Sequence, residues 1–394
     1  MMSETNDLRY FDYAATTPAD PRVIESMVGC LGAEGAFGNP ASSSHAIGLR
    51  ARQLVEQGRK QVAALIGAHA DEIIWTSGAT ESNNLALKGY ADAASTRRHL
   101  VTSVLEHKAV LDTMGSLEKR GMSVTYLRPS AEGEITADAV AAALTAETGM
   151  VSLMLVNNEL GTLTDIAAIS QIVHAAGALL HVDAAQALGK TPIDVNALGI
   201  DLMSMSAHKV YGPKGIGALY VSRAAAARIA PQMHGGGHER GLRSGTLATH
   251  QIVGMGTACE LAAAEMNADN ERIARLSERL LEGVLGLEGL KQNARTARRI
   301  PHTVSLTIDL PGFFEFMLTG DLAVSSTSAC NSAAGKPSHV LSAIGLDDAA
   351  AGRTIRLSLG RYTTQEDVDY AVACLQRVVG QCQPMVMGEL PAKV

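Results

Sequence analysis

The stretch LLHVDAAQALGKTPIDVNALGIDLMSMSAHK, residues 179–209, decides the fold, because it holds two buried strands and the polar residues that end them. Residues 179–182 and 202–205 are short apolar runs, which are typical of strands covered on both faces. Asp183 ends the first run, and Lys209 follows the second. Ligands of mainly parallel sheets bind at the carboxyl ends of the strands, so both residues fall where a site is expected.

An acid after one strand and a lysine after the next meet the needs of a pyridoxal phosphate site. Asp183 can keep a proton on the pyridine nitrogen, which lets the ring withdraw electrons. Lys209 can hold the aldehyde as a Schiff base until an amino acid displaces it. The pair therefore predicts this cofactor and an amino-acid substrate.

Outward from this stretch, strands and helices alternate between about residues 70 and 220. This alternation indicates an α/β fold with a mainly parallel sheet that carries helices on both faces. Seven strands are predicted, at residues 73–76, 99–102, 124–127, 151–156, 179–182, 202–205 and 218–221.

After residue 250 the pattern changes and predicts a smaller α+β domain. Helices are predicted over residues 254–285 and 364–379, and the strands at 304–308 and 355–359 alternate as half-exposed strands do. The predicted division is a large domain over residues 15–255 and a small domain from residues 1–14 and 256–394.

Turn residues dominate the N-terminal part of the chain. Residues 11–45 predict an extended segment with a loop. Apolar residues at three- and four-residue spacing over residues 47–66 predict a helix, with Gly67 as its C-terminal cap.

Composition excludes several classes of protein. The 394 residues are 46% hydrophobic and 19% charged, as in globular proteins, and the net charge of −7 does not favour nucleic-acid or anionic-membrane partners. Neither a secretory leader nor an apolar run of about 18 residues is recognised. Five cysteines without CxxC spacing argue against a disulfide framework and a structural zinc site, so we expect a cytoplasmic location.

Small and hydroxylated residues follow the first predicted strand and open a helix. Free backbone N–H groups and Ser or Thr hydroxyls at a helix N-terminus favour an anion, so residues 76–84 suggest a phosphate cup. An ordinary capped helix start is the alternative, because Ser and Thr are common N-caps and the glycine spacing of the common nucleotide loops is missing.

Three further polar segments have two interpretations each. His107 could stack on a flat ring and move protons, or be an ordinary loop histidine. One of Asn157 and Asn158 could donate to a ring oxygen, or the pair could form a turn. The glycine- and arginine-rich residues 234–246 suit an anion or a mobile surface loop, and their two histidines are a weak metal candidate.

Two single residues carry chemistry of their own. Cys330 lies among small polar residues in a predicted loop, whereas the other cysteines fall on helix-like segments, and an accessible thiol favours use as a nucleophile. Arg356 lies in an alternating strand. The pattern alone favours a solvent-facing charge, whereas an inward Arg356 could bind an α-carboxylate through two hydrogen bonds.

Together these segments resemble the cysteine desulfurases, fold-type I pyridoxal phosphate enzymes of the class-V aminotransferase family that supply sulfur for iron–sulfur clusters. The resemblance covers nearly the whole chain, from about residue 10 to residue 379, and is strongest to the housekeeping bacterial form. The matched segments are residues 12–18, 38–40, 76–84, 106–108, 157–159, 181–186, 206–209, 234–246 and 325–330.

The resemblance implies L-cysteine as the substrate, and L-alanine and a persulfide on Cys330 as the products. Catalysis is assigned to Cys330, Lys209 and His107, and the substrate is bound by Asn39, Asn158 and Arg356. The cofactor-binding residues that it implies are Ala79, Thr80, His107, Asn158, Asp183, Gln186, Ser206, Ala207, His208, Lys209 and Thr246.

Partners follow from the same resemblance. Thr246 is expected to reach the phosphate of a partner subunit, which implies a homodimer. The persulfide sulfur is expected to pass to an iron–sulfur scaffold protein or other acceptors. No resident metal is implied, although Cys330 could transiently ligate a cluster that a partner holds.

The chain departs from the family pattern at two places. Thr327 and Asn331 stand where the familiar form has Gly and Thr, on either side of the nucleophile in the loop at about residues 325–337. Residues 388–394 do not match the aromatic, histidine-containing tail that docks the scaffold protein in similar enzymes. This second departure bears on the sulfur acceptor rather than on the chemistry.

Two other functions are compatible with parts of the pattern. A selenocysteine lyase or a class-V aminotransferase would use the same cofactor, although a transaminase has no need of Cys330. A non-catalytic assembly protein that kept the fold would be colourless, because Lys209 would carry no cofactor.

Overall fold

The computed structural model describes residues 8–94, 96–326 and 337–386. The strands in this part of the chain are β1 Arg9–Tyr10, β2 Ile73–Thr76, β3 His99–Ser103, β4 Ser123–Leu127, β5 Thr148–Met154, β6 Leu179–Asp183, β7 Leu202–Ser206, β8 Gly217–Val221, β9 Leu290–Gln292, β10 Thr303–Ile308, β11 Leu322–Ala323, β12 Ser325–Ser326 and β13 Thr354–Ser358. The helices are α1 Pro21–Val28, α2 Ala46–Leu65, α3 Ala79–Ala93, α4 Lys108–Glu118, α5 Ala137–Ala143, α6 Ile166–Ala175, α7 Thr249–Val284, α8 His339–Ala343, α9 Asp348–Gly352 and α10 Gln365–Val386.

A seven-stranded sheet in the order β2-β8-β7-β6-β5-β3-β4 forms the centre of the molecule. The strands β4, β3, β5, β6 and β7 pair in parallel, and β8 is antiparallel to both β7 and β2. Only β8 therefore runs against the others. This confirms the predicted α/β fold and all seven predicted strands, with ends that shift by a few residues.

The direction of the strands places six segments at one edge of the sheet. The carboxyl ends of β2, β3, β5, β6 and β7 all lie there, and so does the start of the reversed strand β8. The turns that leave these strands bear polar side chains, which can meet at this edge without entering the apolar layers above and below.

The N-terminal segment is less extended than predicted. Residues 21–28 form the helix α1, where Asp20 is the N-cap and Pro21 occupies the first turn. Asp20 and Pro21 are typical of a helix start rather than of a loop, and reading them as turn residues was wrong. The predicted helix at 47–66 is confirmed as α2, and Gly67 follows it with a φ of +69°.

A second sheet, in the order β12-β13-β10-β9, is antiparallel. The prediction that its strands are half-exposed was wrong, because every residue of β10 and β13 is buried. The alternating polar residues contact one another instead of water. Asn293 Nδ2 donates to the hydroxyls of Ser305 and Thr307 at 3.0 Å, and Thr307 and Thr354 share a 2.8 Å hydrogen bond.

Helix α7 connects two apolar cores. Its first half packs into the core around the large sheet through Ile252, Met255 and Cys259. Its second half packs against β10 and β13 through residues such as Ile273 and Leu280. The predicted domain boundary at residue 255 falls inside this helix, and the division at that position stays a prediction.

Candidate active site

A cavity of about 580 Å³ opens at the carboxyl-end edge of the large sheet. Its walls come from the turns after β2, β3, β5, β6 and β7, from the N-terminal segment and from β13. The lining residues that the sequence analysis named are Ala79, Thr80, His107, Asn158, Asp183, Gln186, Ser206, His208, Lys209 and Arg356.

Asp183 is the acid at the base of this cavity. Its side chain is buried, and each carboxylate oxygen has a fixed donor: Asn83 Nδ2 at 2.8 Å from Oδ2, and the backbone N–H of Ala185 at 2.9 Å from Oδ1. Because both oxygens are fixed, the carboxylate is preorganised to receive a proton-bearing ring nitrogen.

Lys209 lies in the turn after β7, on the same cavity wall. Its Nζ donates to the carbonyl oxygens of Ala14 and Ala15, each at 2.6 Å. The N-terminal segment therefore positions the lysine, although it is nearly 200 residues distant in the sequence. Asp183 and Lys209 leave neighbouring strands, as the opening stretch of the sequence indicates.

The start of helix α3 has the form of an anion site. No side chain caps this end, Gly78 has a φ of +153°, and Ala79, Thr80 and Ser206 line the cavity beside it. Strand β8 packs closely against the turn before α3. A Cβ on Gly217 would lie only 2.6 Å from the Cα of Gly78, so a larger residue would not fit there. An uncapped helix N-terminus opening on a cavity favours the phosphate-cup interpretation over the ordinary helix start.

His107 caps helix α4 and faces the cavity. Its Nδ1 accepts a hydrogen bond from Ala109 N at 3.1 Å, which fixes the ring and leaves Nε2 as the other polar edge. The surrounding protein removes solvent and lowers the pKa of the imidazole, and the nearby Asp183 charge partly opposes this shift. The lowered pKa favours the neutral imidazole, and the side chain lines the cavity.

Asn157 and Asn158 have different surroundings, and only the turn interpretation is confirmed, for Asn157. Asn157 forms the turn, since its Oδ1 accepts from the backbone N–H groups of Glu159 and Leu160 at 2.9 Å. Asn158 lines the cavity, and its buried Oδ1 has no hydrogen-bond partner among the described residues. A buried amide oxygen without a partner is costly, which points to a missing ligand at this place.

Arg356 is buried, so the solvent-facing orientation that the alternating pattern favoured was wrong. Its Nη2 contacts Asp12 Oδ1 at 2.7 Å, and its Nη1 donates to the Asn158 carbonyl at 2.8 Å. Its Nε is buried without a partner among the described residues. A guanidinium held on two sides, with a donor to spare beside a cavity, suits a carboxylate ligand.

Three predicted site residues that the structure describes do not line this cavity. Asn39 is exposed in a turn where its Oδ1 accepts from Ala41 N at 2.9 Å. Ala207 is fully buried under the turn, and Thr246 is exposed outside the cavity. Cys330, with Thr327, Asn331 and most of the predicted nucleophile loop, lies outside the described residues, so its role stays a prediction.

The other four cysteines are buried and unpaired. Burial raises the pKa of each thiol, to about 12 for Cys259. Thiols of this kind are poor nucleophiles, because the reactive form is the thiolate. No group of three or more possible metal ligands occurs in the described part of the chain.

Two ion pairs connect the segment 234–246 to the rest of the large domain. Arg243 pairs with Glu81 at 2.8 Å, which ties the segment to the first turn of α3. Glu239 pairs with Arg59 through two hydrogen bonds of 2.7 and 2.8 Å and also accepts from Trp75 N at 2.8 Å. Both members of the second pair are almost fully buried.

Replacing Glu239 with alanine is expected to lower the free energy of unfolding by about 3–5 kcal/mol, because it leaves Arg59 charged and unpaired in the interior. Trp75 is the only tryptophan, and the Arg59 guanidinium lies 5.5 Å from its ring, so urea unfolding followed by tryptophan fluorescence reports this site. Asp71→Ala breaks the exposed pair with Arg223 and is expected to change stability little. Equal losses in the two variants would contradict the prediction.

Sequence reasoning missed several residues around the cavity. Asn83 lies four residues before Leu87, so both side chains are on the buried face of α3. A polar residue at an apolar position of the helical pattern was the signal that could have identified Asn83. Glu106 Oε1 accepts from Met154 N at 2.9 Å, and burial raises the pKa of Glu106 well above its ordinary value. No sequence signal distinguishes buried Lys190, which contacts Gln186 behind the cavity wall.

Pyridoxal phosphate fits the residues of this cavity. The uncapped α3 start suits the phosphate of the cofactor, and the two-point support of Asp183 suits its ring nitrogen. The partnerless polar atom of Asn158 marks a place for a ligand in the same cavity. Lys209 is the amine on the same wall. These donors and acceptors complement the cofactor's polar groups without requiring any metal.

Comparisons with known proteins agree with the geometry. Residues 9–371 match the model of the aminotransferase class-V family. A cysteine desulfurase IscS from Azotobacter vinelandii is 54% identical over 378 residues, which cover 95% of this chain and 94% of the relative. The cysteine desulfurase IscS of Pseudomonas savastanoi pv. phaseolicola is 55% identical over 364 residues, which cover 92% and 90%.

Solved structures give the same result. A NifS-like protein superposes with a TM-score of 0.87 at 35% identity, covering 95% of this chain and 100% of its own. SspA in complex with cysteine superposes with a TM-score of 0.82 at 40% identity, covering 90% and 100%. The chain therefore belongs to the class-V aminotransferase family and, within it, to the pyridoxal phosphate-dependent cysteine desulfurases.

Proposed function

We propose that this protein removes sulfur from L-cysteine, giving L-alanine and a persulfide on Cys330. The observation that carries the proposal is the convergence of Asp183, Lys209 and Arg356 on one cavity. These three side chains offer an acid for a ring nitrogen, an amine for an aldehyde and a guanidinium for an α-carboxylate. Pyridoxal phosphate supplies an electron sink when bound, which weakens the bonds around the substrate's α-carbon.

Substrate binding is assigned to Arg356. Asp12 and the Asn158 carbonyl hold the guanidinium on two sides, so it loses little freedom when a carboxylate binds. Its buried Nε is still available as a donor. The family resemblance also assigns substrate contacts to Asn158, which lines the same cavity, and to Asn39, which does not line it.

Proton movement is assigned to Lys209 and His107. Lys209 Nζ lies at the cavity wall, where the amine can take and return a proton at the substrate's carbon atoms. His107 is neutral because desolvation lowers the pKa of its imidazole, so it can accept a proton from the substrate thiol.

The proposed transfer balances without an outside oxidant or reductant. The Cys330 thiolate attacks the substrate sulfur, a sulfur–sulfur bond forms, and the carbon–sulfur bond breaks. The bonding electrons stay with the substrate carbon, which takes up a proton and becomes the methyl group of alanine. Cysteine and the enzyme thiol thereby yield alanine and an enzyme persulfide.

A homodimer is part of the proposal. Thr246 is exposed and lies outside its own cavity, as expected of a residue that reaches a partner's phosphate. Six large apolar side chains between residues 24 and 49 are also exposed: Ile24, Val28, Leu31, Phe37, Ile47 and Leu49. Exposed apolar side chains are common at interfaces, and light scattering should give twice the mass of the chain.

The destination of the sulfur is proposed from the family alone. An iron–sulfur scaffold protein and other sulfur acceptors are the expected partners, and the location is expected to be cytoplasmic. No helix in the described residues is both long and apolar enough to cross a membrane.

The test of this function is to mix the purified protein with L-cysteine and measure alanine together with persulfide on Cys330. We expect one persulfide per protein chain in the first turnover. When a thiol reductant is added, we expect alanine to form at the same rate as sulfide is released. L-Selenocysteine and an amino-donor and keto-acid pair are the comparison substrates. Faster turnover with either, or a colourless protein, would overturn the proposal.

Replacing Arg356 with lysine is expected to raise KM for L-cysteine by about tenfold or more. An ammonium group cannot form the two parallel hydrogen bonds that a guanidinium forms with a carboxylate. The cofactor's absorbance should not change. Arg353→Lys is the matched control, since Arg353 pairs with Asp309 away from the cavity. An unchanged KM in Arg356→Lys would remove this residue from the substrate site.

A further inference from the structure

Lys190 is a buried lysine that the proposed chemistry does not use. It is 8% exposed and lies in the turn that follows β6, behind the cavity wall. Its Nζ donates to Gln186 Oε1 at 2.9 Å, and in the described part of the chain no carboxylate lies within ion-pair distance of it. Lysines are almost never buried without a charged partner, so this arrangement needs an explanation.

The contact with Lys190 determines which end of the Gln186 amide faces which neighbour. Gln186 Nε2 donates to the Ala14 carbonyl at 2.7 Å, the same oxygen that receives Lys209 Nζ at 2.6 Å. If the amide were flipped, its carbonyl would face the Ala14 carbonyl, and its NH2 group would face the lysine amine. The observed orientation is therefore the one that satisfies both contacts.

Gln186 itself lines the cavity, and its NH2 group has two hydrogens. One is directed to Ala14, so the other is available to a ligand. In the observed orientation the cavity receives a donor from Gln186, whereas a flipped amide would offer it an acceptor. An anionic ring oxygen requires the donor.

The groups around Lys190 are mostly cationic or neutral. Burial, Lys209 and Arg356 lower the pKa of Lys190 to about 7. Asn270 Nδ2 donates to the Lys190 carbonyl at 2.9 Å, and the buried His302 has its own pKa lowered by burial and then by Lys190. An amine in these surroundings is costly, which favours a role at the site over a role in stability.

We propose that Lys190 is a positioning residue, which holds the Gln186 amide so that Nε2 donates to the ring oxygen of the bound cofactor. The inference rests on the proposed function, because it requires pyridoxal phosphate in this cavity. Lys190 does not line the cavity, so it is not assigned a contact with the cofactor or the substrate. It acts through the orientation of one amide.

The test uses Lys190→Met in the purified holoenzyme, with two readouts that do not depend on turnover. Loss of a donor and of a nearby positive charge both favour the protonated cofactor, so the pKa read from its visible absorption should rise by about half a unit or more. Cofactor affinity, measured by rebinding to the stripped protein, should fall by about threefold to tenfold.

Two further variants separate positioning from charge and from structure. Lys190→Gln removes the charge but retains a donor, and it should keep most of the affinity that Lys190→Met loses. In a Gln186→Ala background, Lys190→Met should cause a smaller loss of affinity than it does alone. Lys60→Met, at an exposed position, controls for the change in net charge and should behave as the wild type.

Other outcomes would overturn the inference. Equal loss of affinity with and without Gln186 would mean that Lys190 does not act through this amide. A lower unfolding temperature with unchanged absorption pKa and affinity would show a structural role only. A wild-type protein without visible absorption would refute the proposed function itself, whereas a normal wild type beside an unaffected Lys190→Met would refute this inference alone.

Discussion

Replacing Cys330 with alanine is expected to abolish sulfur release from L-cysteine, by on the order of 10³-fold or more, while the protein keeps its colour. Asp183 ends β6 and Lys209 follows β7, and neither residue is altered by the change. The loss should therefore appear in persulfide formation and alanine production, and the visible absorption should be unaffected.

The assignment to Cys330 is supported by elimination among the five cysteines. Cys30, Cys259, Cys374 and Cys382 are buried, and burial raises the pKa of each thiol. None of them lines the cavity that contains Lys209. If the reaction needs a thiolate, these four positions do not supply it.

Cys30→Ala is the matched control, because it removes a thiol of raised pKa and leaves the cavity lining intact. It should retain turnover within about threefold, in line with the small free-energy change of a substitution away from the reacting atoms. Mass spectrometry after mixing with L-cysteine should find the additional sulfur on the peptide that contains Cys330. Full turnover in Cys330→Ala, or the sulfur on another cysteine, would contradict the assignment.

The large sheet was predictable from the sequence because its strands are buried on both faces. Continuous apolar runs such as residues 179–182 and 202–205 leave few alternatives to a central strand. The small domain was less predictable. In β10 the polar residues Ser305 and Thr307 alternate as on a half-exposed strand, yet Asn293 contacts both of them in the interior. Alternation of polar and apolar residues shows that the two faces of a strand differ. It does not show whether the polar face contacts water or other polar groups of the protein.

The candidate site was predictable at positions where the chemistry requires one particular type of residue just after a strand. Asp183, Lys209 and His107 satisfied that condition. Contacts over long sequence separations were not predictable, as when the Ala14 carbonyl receives both Lys209 and Gln186. Arg356 shows the limit of a local pattern. Its burial depends on Asp12, 344 residues away in the chain, and no window along β13 contains that partner.

Asp183→Asn tests the other half of the site, and we expect the rate of alanine formation to fall by about 10²–10³-fold. The substitution keeps the shape of the side chain but removes the negative charge that would keep a proton on the ring nitrogen. Without that proton the ring withdraws electrons poorly, so every step that places charge on it slows down. Lys209 is unchanged, so the protein should still bind the cofactor and remain coloured.

Asn83→Ala separates the charge of Asp183 from its orientation. Asn83 holds Asp183 Oδ2 at 2.8 Å, and Ala185 N still holds Oδ1 when Asn83 is truncated. The carboxylate keeps its charge and one of its two supports, so the loss should be about tenfold, the size of one hydrogen bond. Single-turnover kinetics followed by the visible absorption measure both variants. If Asp183→Asn lost no more activity than Asn83→Ala, the role of Asp183 would be to position the ring, and its charge would not matter to the reaction.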